Sequence, residues 1–195
     1  MITPTVLGDF PVLNEPEVHI LDYVPRVLAQ QDFDLEDIEL IVVDALWEHR
    51  REFYADHEYP FHIEHCPPIP NWITQTRHTN HARLRNTGLC VASGELVFMF
   101  DDTLSVRPDA LRRIWSEYQA GYCASPLVEW CYGDKHVGSN VDWRVGWLKE
   151  KGLSRWMAGP ATPEEPERPY NPIGFGIISY PLELALSLGG YDELF

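Results

Sequence analysis

The chain is 195 residues long, a length typical of one domain, and its 45% hydrophobic content is enough for a buried core and excludes a disordered protein. Its 15 Lys and Arg against 30 Asp and Glu give a formal net charge of −15, which disfavours binding to nucleic acid or to an anionic membrane surface. No apolar run reaches the roughly 18 residues of a spanning helix, the first residues lack the basic start of a signal peptide, and the cysteines form no paired metal motif, so we expect a cytoplasmic protein with free thiols.

Apolar patterning in the first 70 residues predicts strands and one helix. A first strand is expected at Val6–Phe10, and apolar residues at spacings of three and four predict a helix over Glu15–Gln31. Pro25 lies within that pattern, so the helix either kinks or begins there. Ile38–Val43 is apolar on both faces, as in the middle of a parallel sheet, and Pro60–His65 has an extended pattern.

The rest of the chain continues the alternation of helices and strands. Pro108 opens the clearest helix, whose apolar stripe ends at Gly121, and Asp109 suits its positive amino-terminal end. The other predicted elements are a helix at Asn80–Ala92, strands at Leu96–Phe100, Leu127–Tyr132 and Ile173–Tyr180, a long loop or lid over 133–172, a short helix at Pro181–Leu188 and a break at Gly189–Gly190.

Acidic and polar residues follow three of the predicted strands. Strands that alternate with helices form mostly parallel sheets, and such sheets bind ligands at the carboxyl ends of their strands. Asn14 and Glu15 follow the first strand, Asp44 follows the second, and the pair Asp101 and Asp102 follows the strand after residue 95. This placement favours an enzyme of the α/β class.

The Asp101-Asp102-Thr103 sequence is the sharpest of these features. Two adjacent carboxylates at the end of a buried strand repel each other unless a cation or strong hydrogen-bond donors offset their charge. Mg²⁺ and Mn²⁺ do so, and both prefer carboxylates together with the phosphate oxygens of a substrate. The alternative is that the two acids only start a turn and cap the helix that follows.

Four sequence motifs occur in a fixed order around these acids. One is the stretch 85–102, in which Arg-Asn-Thr-Gly at 85–88 and Ala-Ser-Gly-Glu at 92–95 precede the apolar strand and its acidic end. Phe-Pro-Val-Leu-Asn stands at 10–14, an apolar strand ends in Asp44, and Gly-Gly-Tyr-Asp-Glu stands at 189–193. In this order, and over nearly the whole chain, the motifs resemble those of family 2 glycosyltransferases with the GT-A fold.

The resemblance implies a Rossmann-like GT-A fold with one domain over 1–195. Residues 1–103 would bind the nucleotide sugar, and residues 104–195 would form the acceptor side. Asp44 would accept a hydrogen bond from the base of a nucleoside diphosphate sugar, most often uracil. The same nucleotide pocket would be lined by Pro11, Val12, Asn14 and Glu15.

The resemblance also implies a metal cofactor. Asp101 would face the ribose or the metal, and Asp102 would bind Mn²⁺ or Mg²⁺ that bridges the donor diphosphate. A metal at this place offsets the charge that develops on the departing diphosphate.

The chain departs from the family's pattern in four places. Thr103 stands where many members have a third acid, residues 45–47 replace a small polar turn, and residues 133–172, where acceptor choice would reside, match no family motif. Family members also carry a further acidic motif whose Asp is the catalytic base, and this chain ends before it. Either the protein is trimmed, or Asp192 or Glu193 has taken the role, or the chain is not catalytic alone.

Residues 77–85 hold the basic cluster of this acidic chain. Arg83 and Arg85, followed by Asn86, are candidates for contact with the donor diphosphate, and the alternative is that the arginines pair with surface acids. The histidines near Cys66 lack the spacing of zinc ligands and are expected to be core or solvated groups. Four tryptophans could stack on a sugar acceptor or pack in the core or lid: Trp130, Trp143, Trp147 and Trp156.

The sequence therefore predicts a metal-dependent glycosyltransferase that moves a sugar from a UDP-linked donor to a hydroxyl acceptor with inversion, while a carboxylate removes the acceptor proton. The alternative is a non-catalytic module of the same fold that binds a nucleotide sugar or a carbohydrate. A nucleotidyltransferase would show a basic, Gly-rich loop after the first strand, and residues 10–16 contain neither Gly nor Lys. A nucleic-acid acceptor is disfavoured by the net charge unless residues 77–85 are its contact.

Overall fold

Five strands form the central sheet of the chain in the computed structural model, which describes residues 1–5, 11–12, 15–70, 81–102, 106–123, 131–132, 135–136 and 178–192. In spatial order the strands are β5 (His62–Cys66), β4 (Glu39–Asp44), β1 (Ile2–Thr5), β6 (Leu96–Met99) and β9 (Ile178–Pro181). The first four run parallel, and β9 runs antiparallel to β6. The predicted α/β class with a mostly parallel sheet is confirmed.

Helices cover both faces of this sheet. They are α1 (Ile20–Ala29), α2 (Trp47–Arg50), α3 (His81–Val91), α4 (Ala110–Gln119) and α5 (Leu182–Ser187), with a short 3-10 turn at Leu35–Asp37. The core on one face joins residues of α1 and α4 to the sheet, and the core on the other face joins residues of α3 and α5 to it. Among the described residues, none of the helices combines the length and the apolar character needed to cross a bilayer.

Strand β4 shows why the central part of the sheet was predictable. Leu40 and Val42 contribute to one core while Ile41 and Val43 contribute to the other, and none of the four is more than 1% exposed. A strand covered on both faces gains from apolar residues at every position, so its sequence is a continuous apolar run. The predicted strand at Ile38–Val43 is confirmed, one residue later in the chain.

The first strand of the sheet is β1, which the sequence did not indicate. The strand predicted at Val6–Phe10 lies outside the described residues, and the chain enters the sheet at Ile2 instead. All four residues of β1 are buried, although two of them are threonines and one is Pro4. Because burial here includes polar side chains, an apolar run does not mark this strand.

The helix predicted over Glu15–Gln31 is wrong in its first five residues. Glu15–His19 is β3, which forms an antiparallel hairpin with β2 (Pro11–Val12), and α1 begins only at Ile20. The His19 side chain fixes this start, because its Nδ1 accepts a hydrogen bond of 3.2 Å from the Leu21 N–H. The apolar spacing in the sequence gives no information about such a capping contact, so the predicted helix began five residues too early.

Pro25 lies inside α1, where it removes one backbone hydrogen bond of the helix. The carbonyl that a residue at this position would normally bond is that of Leu21, four residues earlier. The Tyr54 hydroxyl donates to the Leu21 carbonyl at 2.6 Å. A side chain from outside the helix thus supplies the donor that Pro25 lacks.

The remaining predicted elements are present with shifted ends. The helix opened by Pro108 begins as α4 two residues later, while β5, α3, β6 and α5 fall within or next to their predicted ranges. Gly189 and Gly190 break the chain as predicted and have positive φ values of 83° and 75°. Of the strand predicted at Leu127–Tyr132, only Cys131–Tyr132 (β7) is described, paired with Lys135–His136 (β8) from the predicted lid. The rest of the lid lies outside the described residues, as does 173–177.

Helix α3 crosses β1 at a glycine. A Cβ atom at Gly88 would overlap the side chain of Ile2, so glycine leaves the room that the buried Ile2 side chain occupies against α3. This explains the glycine of the Arg-Asn-Thr-Gly motif at 85–88 by packing. The same contact fixes the position of α3 relative to the sheet, and with it the positions of Arg85 and Asn86.

Candidate functional site

The carboxyl ends of β1, β4 and β6 meet at one edge of the sheet. Thr5 is the register partner of Asp44, and the Ala45 N–H donates to the Thr5 carbonyl at 3.0 Å. On the other side of β1, Asp101 and Asp102 follow β6 after one further residue, the buried Phe100. The acids that the sequence placed after separate strands therefore occur along one edge.

Asp44 is fully buried and carries an extensive set of hydrogen bonds. Its Oδ1 accepts from the Leu46 N–H at 2.8 Å and from the Arg50 guanidinium, while its Oδ2 lies 3.1 Å from His65 Nε2. Burial alone would raise the pKa of Asp44, but the hydrogen bonds from His65 and Arg50 outweigh it and hold the pKa below the ordinary value.

Arg50 and His65 are site residues that sequence reasoning missed. Their side chains are 4% and 6% exposed, and they join α2 and β5 to the end of β4 through Asp44. The sequence did carry a signal for His65: it stands two and four residues after Ile63 and Phe61, so all three lie on the same face of the strand, and the other two pack in the core. No spacing marks Arg50, which reaches Asp44 from a four-residue helix.

Asp101 and Asp102 are partly buried, and their charges are poorly offset. Burial raises the pKa of Asp102 to about 6, against an opposing effect of the nearby Thr5 hydroxyl, and the charge of Asp101 raises it further. Burial also raises the pKa of Asp101, although Arg85 and His81 oppose it.

Asp102 Oδ2 and Thr5 Oγ1 are buried and make no hydrogen bond of ordinary geometry among the described residues, although the Thr5 hydroxyl lies close enough to Asp102 to lower its pKa. A buried acceptor without a partner costs about 1–3 kcal/mol. A divalent cation beside Asp101 and Asp102 would satisfy such an oxygen and offset the repulsion between the two carboxylates. The donor set therefore fits a hard cation, although the described residues contain no group of three or more His, Cys, Asp or Glu side chains arranged around a metal position.

The basic cluster contributes one cation to this edge. Arg85 Nη2 lies 3.8 Å from Asp101 Oδ1, and the guanidinium stacks over the Tyr191 ring at 5.5 Å from its centroid. The backbone carbonyl of Arg83, two residues earlier on α3, accepts from the Thr87 hydroxyl at 2.9 Å. Residues 77 and 78 of the cluster lie outside the described residues.

Asn86 binds the backbone of the Gly-Gly-Tyr-Asp segment. Its Oδ1 accepts from the Tyr191 N–H at 2.7 Å, and its Nδ2 donates to the Tyr191 carbonyl at 2.9 Å. A Cβ at Gly190 would come within 2.5 Å of Asn86 Oδ1, so the amide contact requires glycine there. Two motifs that stand about a hundred residues apart in the sequence are thereby joined, an arrangement we call the Asn86–Tyr191 clamp.

The other predicted site residues are placed less fully. Asp192 follows the clamp and is exposed, whereas Glu193 and Asn14 lie outside the described residues. Pro11, Val12 and Glu15 belong to the β2–β3 hairpin, which follows β1 in the chain. The four tryptophans considered for acceptor stacking also lie outside the described residues.

No protein-family model matches the chain, and no curated protein matches it. Among solved structures, S. aureus TarS 1-349 is similar with a TM-score of 0.58 and 18% identity, over 99% of this chain and 50% of that one. The mannosyltransferase PcManGT from Pyrobaculum calidifontis, solved in complex with GDP-Man and Mn2+, has a TM-score of 0.55 and 20% identity, over 99% of this chain and 47% of that one.

Both of these proteins are glycosyltransferases of GT-A-like fold, and this chain spans about half the length of each. At such low identity the comparison concerns the fold. Together with the order and direction of the strands, it shows that the chain has a GT-A-like glycosyltransferase fold.

Proposed function

We propose that the chain is a metal-dependent glycosyltransferase of the family 2 type that uses a nucleotide-sugar donor and a hydroxyl acceptor. The observation that carries this proposal is the Asp101–Asp102 pair, which stands at the carboxyl end of β6 with a buried carboxylate oxygen that makes no hydrogen bond of ordinary geometry among the described residues. The fold shared with glycosyltransferases supports it, as does the GDP-Man and Mn2+ complex of one of them.

In this proposal the residues of the edge hold the donor. Asp102 and Asp101 would hold Mn²⁺ or Mg²⁺, which when bound stabilises the negative charge of the departing diphosphate. Arg85, whose guanidinium lies beside Asp101, donates hydrogen bonds to a diphosphate oxygen, and Arg83 is the second candidate for this contact. Pro11, Val12, Asn14 and Glu15 line the nucleotide pocket.

In this proposal Asp44 recognises the nucleobase of the donor through its Oδ2 atom. Oδ1 is occupied by Leu46 and Arg50, whereas Oδ2 accepts from His65 alone among the described residues. A carboxylate oxygen has two lone pairs, so Oδ2 keeps one for an N–H of uracil or of another base with an imide group. His65 and Arg50 keep Asp44 ionised and oriented for this contact.

The acceptor side supplies the catalytic base that removes the proton of the acceptor hydroxyl. Asp192 or Glu193 removes the proton of the acceptor hydroxyl as its oxygen attacks the anomeric carbon, and a single displacement inverts the configuration there. Asp192 is exposed directly after the Asn86–Tyr191 clamp, a position from which it can meet an acceptor that arrives from solvent. Asn86 positions this segment rather than the substrate, because the clamp uses both ends of its amide.

The test is a thermal-shift measurement with UDP and GDP, each with and without Mn²⁺. A ligand that binds only the folded state raises the melting temperature, by the equivalent of about 2.7 kcal/mol at a concentration of 100 Kd. The wild type is expected to shift with a nucleoside diphosphate and Mn²⁺ together. Asp102→Asn is expected to lose the part of the shift that depends on metal, while its melting temperature without ligand stays equal or rises, because a poorly offset buried charge is removed.

Asp37→Asn is the matched control, since Asp37 is an exposed acid that precedes the opposite, amino-terminal end of β4. This variant should shift as the wild type does. If Asp102→Asn shows the same metal-dependent rise in melting temperature as the wild type, Asp102 is not a metal ligand. Incubation of the wild type with UDP-sugars and GDP-Man then separates the two functions: slow release of the nucleoside diphosphate supports the enzyme, and binding without turnover supports the non-catalytic module.

A further inference from the structure

Tyr191 is fixed in position by more than its backbone. Beyond the two hydrogen bonds of the Asn86–Tyr191 clamp, the Tyr191 hydroxyl lies 2.8 Å from the Tyr180 hydroxyl, on strand β9. Tyr180 is itself buried, and burial raises the pKa of its hydroxyl. The ring of Tyr191 therefore has one position relative to α3 and to the sheet.

Arg85 stands over this fixed ring without a tight ionic partner. Its closest carboxylate oxygen, Asp101 Oδ1, is 3.8 Å away, which exceeds the length of a hydrogen bond. Its Nε is buried and has no hydrogen-bond partner among the described residues. Because arginine has five N–H donors in a planar fork, a guanidinium placed in this way has donors left for an anion.

Stacking explains why the guanidinium remains at this place. A cation over an aromatic face is attracted by the ring, more strongly when it is desolvated, and the Arg85 side chain is 20% exposed. The ring thus orients a phosphate-binding group without competing for its donors.

We propose that Tyr191 is a positioning residue that holds the Arg85 guanidinium beside Asp101 for the diphosphate of the donor. This inference rests on the proposed function and extends it, because it assigns the segment 189–191 to the donor site. In the division suggested by the sequence, that segment belonged to the acceptor side. The clamp then has a functional role, because it holds the ring of Tyr191 next to the guanidinium of Arg85 on α3.

The experiment measures the affinity of the full chain, with Mn²⁺ present, for a nucleoside diphosphate and for the matching monophosphate. UDP and UMP are used, or GDP and GMP if GDP binds the wild type more tightly. Tyr191→Leu removes the aromatic face and is expected to weaken the diphosphate about tenfold, with a much smaller effect on the monophosphate. A role in stability alone would not change the ratio of the two affinities.

Three further variants keep the test decisive. Tyr191→Phe retains the ring and should retain the affinity ratio, although it lowers stability by leaving the buried Tyr180 hydroxyl without this contact. Arg85→Lys retains the charge but loses the planar group, and it should lower the ratio even if Tyr191→Leu fails to fold. Leu188→Ser, at an exposed residue just before the glycines, should behave as the wild type does.

The outcomes separate this inference from the proposed function. If the wild type binds neither UDP nor GDP, the proposed function fails and the inference fails with it. If the wild type binds and a folded Tyr191→Leu keeps its affinity ratio, or if Arg85→Lys keeps it, the inference alone is overturned. It is also overturned if Tyr191→Leu weakens the monophosphate and the diphosphate equally.

Discussion

At the scale of single residues, the strand-end acids differ sharply in their surroundings. Asp44 is buried among donors and stays ionised, whereas Asp102 is partly buried and has a buried oxygen without a hydrogen bond of ordinary geometry among the described residues. The first arrangement stabilises the folded chain by itself. The surroundings of Asp102 are unfavourable without a ligand, as is common at positions where the residue serves binding rather than stability.

Replacing Asp44 by Asn tests the first of these statements. The change removes the anionic partner of the buried Arg50, and breaking a buried ion pair in this way costs about 3–5 kcal/mol. Because the pKa of Asp44 is lowered by folding, the unfolded chain takes up its proton first as the pH falls. The contribution of Asp44 is therefore complete at neutral pH and declines as the pH falls below about 4.

Urea unfolding of the wild type and of Asp44→Asn at pH 7 and near pH 3 measures this effect. The difference between the two proteins should be large at pH 7 and should shrink in acid, where a protonated Asp44 resembles the amide. Asp37→Asn again provides the control and should unfold as the wild type does at pH 7. A gap that is equally large at both pH values would contradict the assignment.

At the scale of elements, helices depend on contacts from outside them. Pro25 would be expected to disrupt α1, and the chain tolerates it because the Tyr54 hydroxyl bonds the Leu21 carbonyl. The Asn86–Tyr191 clamp and the close approach at Gly88 fix α3 in the same way. Each contact joins residues that are distant in the sequence.

A double-mutant cycle measures how strongly Tyr54 and Pro25 depend on each other. Tyr54→Phe leaves the Leu21 carbonyl without that donor and should cost about 1–3 kcal/mol of unfolding free energy. In a Pro25→Ala background the backbone N–H of the alanine supplies a donor, so the same substitution should cost clearly less. Equal costs in the two backgrounds, measured by urea unfolding, would mean that the hydroxyl does not replace the missing helix bond.

At the scale of the whole molecule, the net charge of −15 acts on stability and on partners. Most of the acids in the described part of the chain are exposed, so the folded chain carries a self-repulsion that added salt screens. The exposed ion pairs, such as that of Arg112 with Asp32, contribute little in the opposite direction. The same charge repels the phosphates of a nucleotide except where Arg85 and its neighbours offset it.

Salt dependence of the melting temperature tests this balance. Raising NaCl from about 10 mM to about 150 mM shortens the screening length from about 30 Å to about 8 Å and should raise the melting temperature of the chain without ligand. The choline salt serves as a control against specific binding of Na⁺. A melting temperature that falls with both salts would show that exposed ion pairs outweigh the repulsion.

The sequence by itself determined the α/β class, the central strand β4, the helix that contains the Arg-Asn-Thr-Gly motif and the strand that follows it, and the placement of Asp44, Asp101 and Asp102 at strand ends. These features follow from apolar periodicity and from the meeting of parallel strand ends, which are local properties of the chain or of its fold class. Only the tertiary structure decided the partners of those acids. Arg50, His65 and Tyr191 reach the site from elements whose packing no local pattern records, because a contact between distant residues depends on the folded backbone that brings them together.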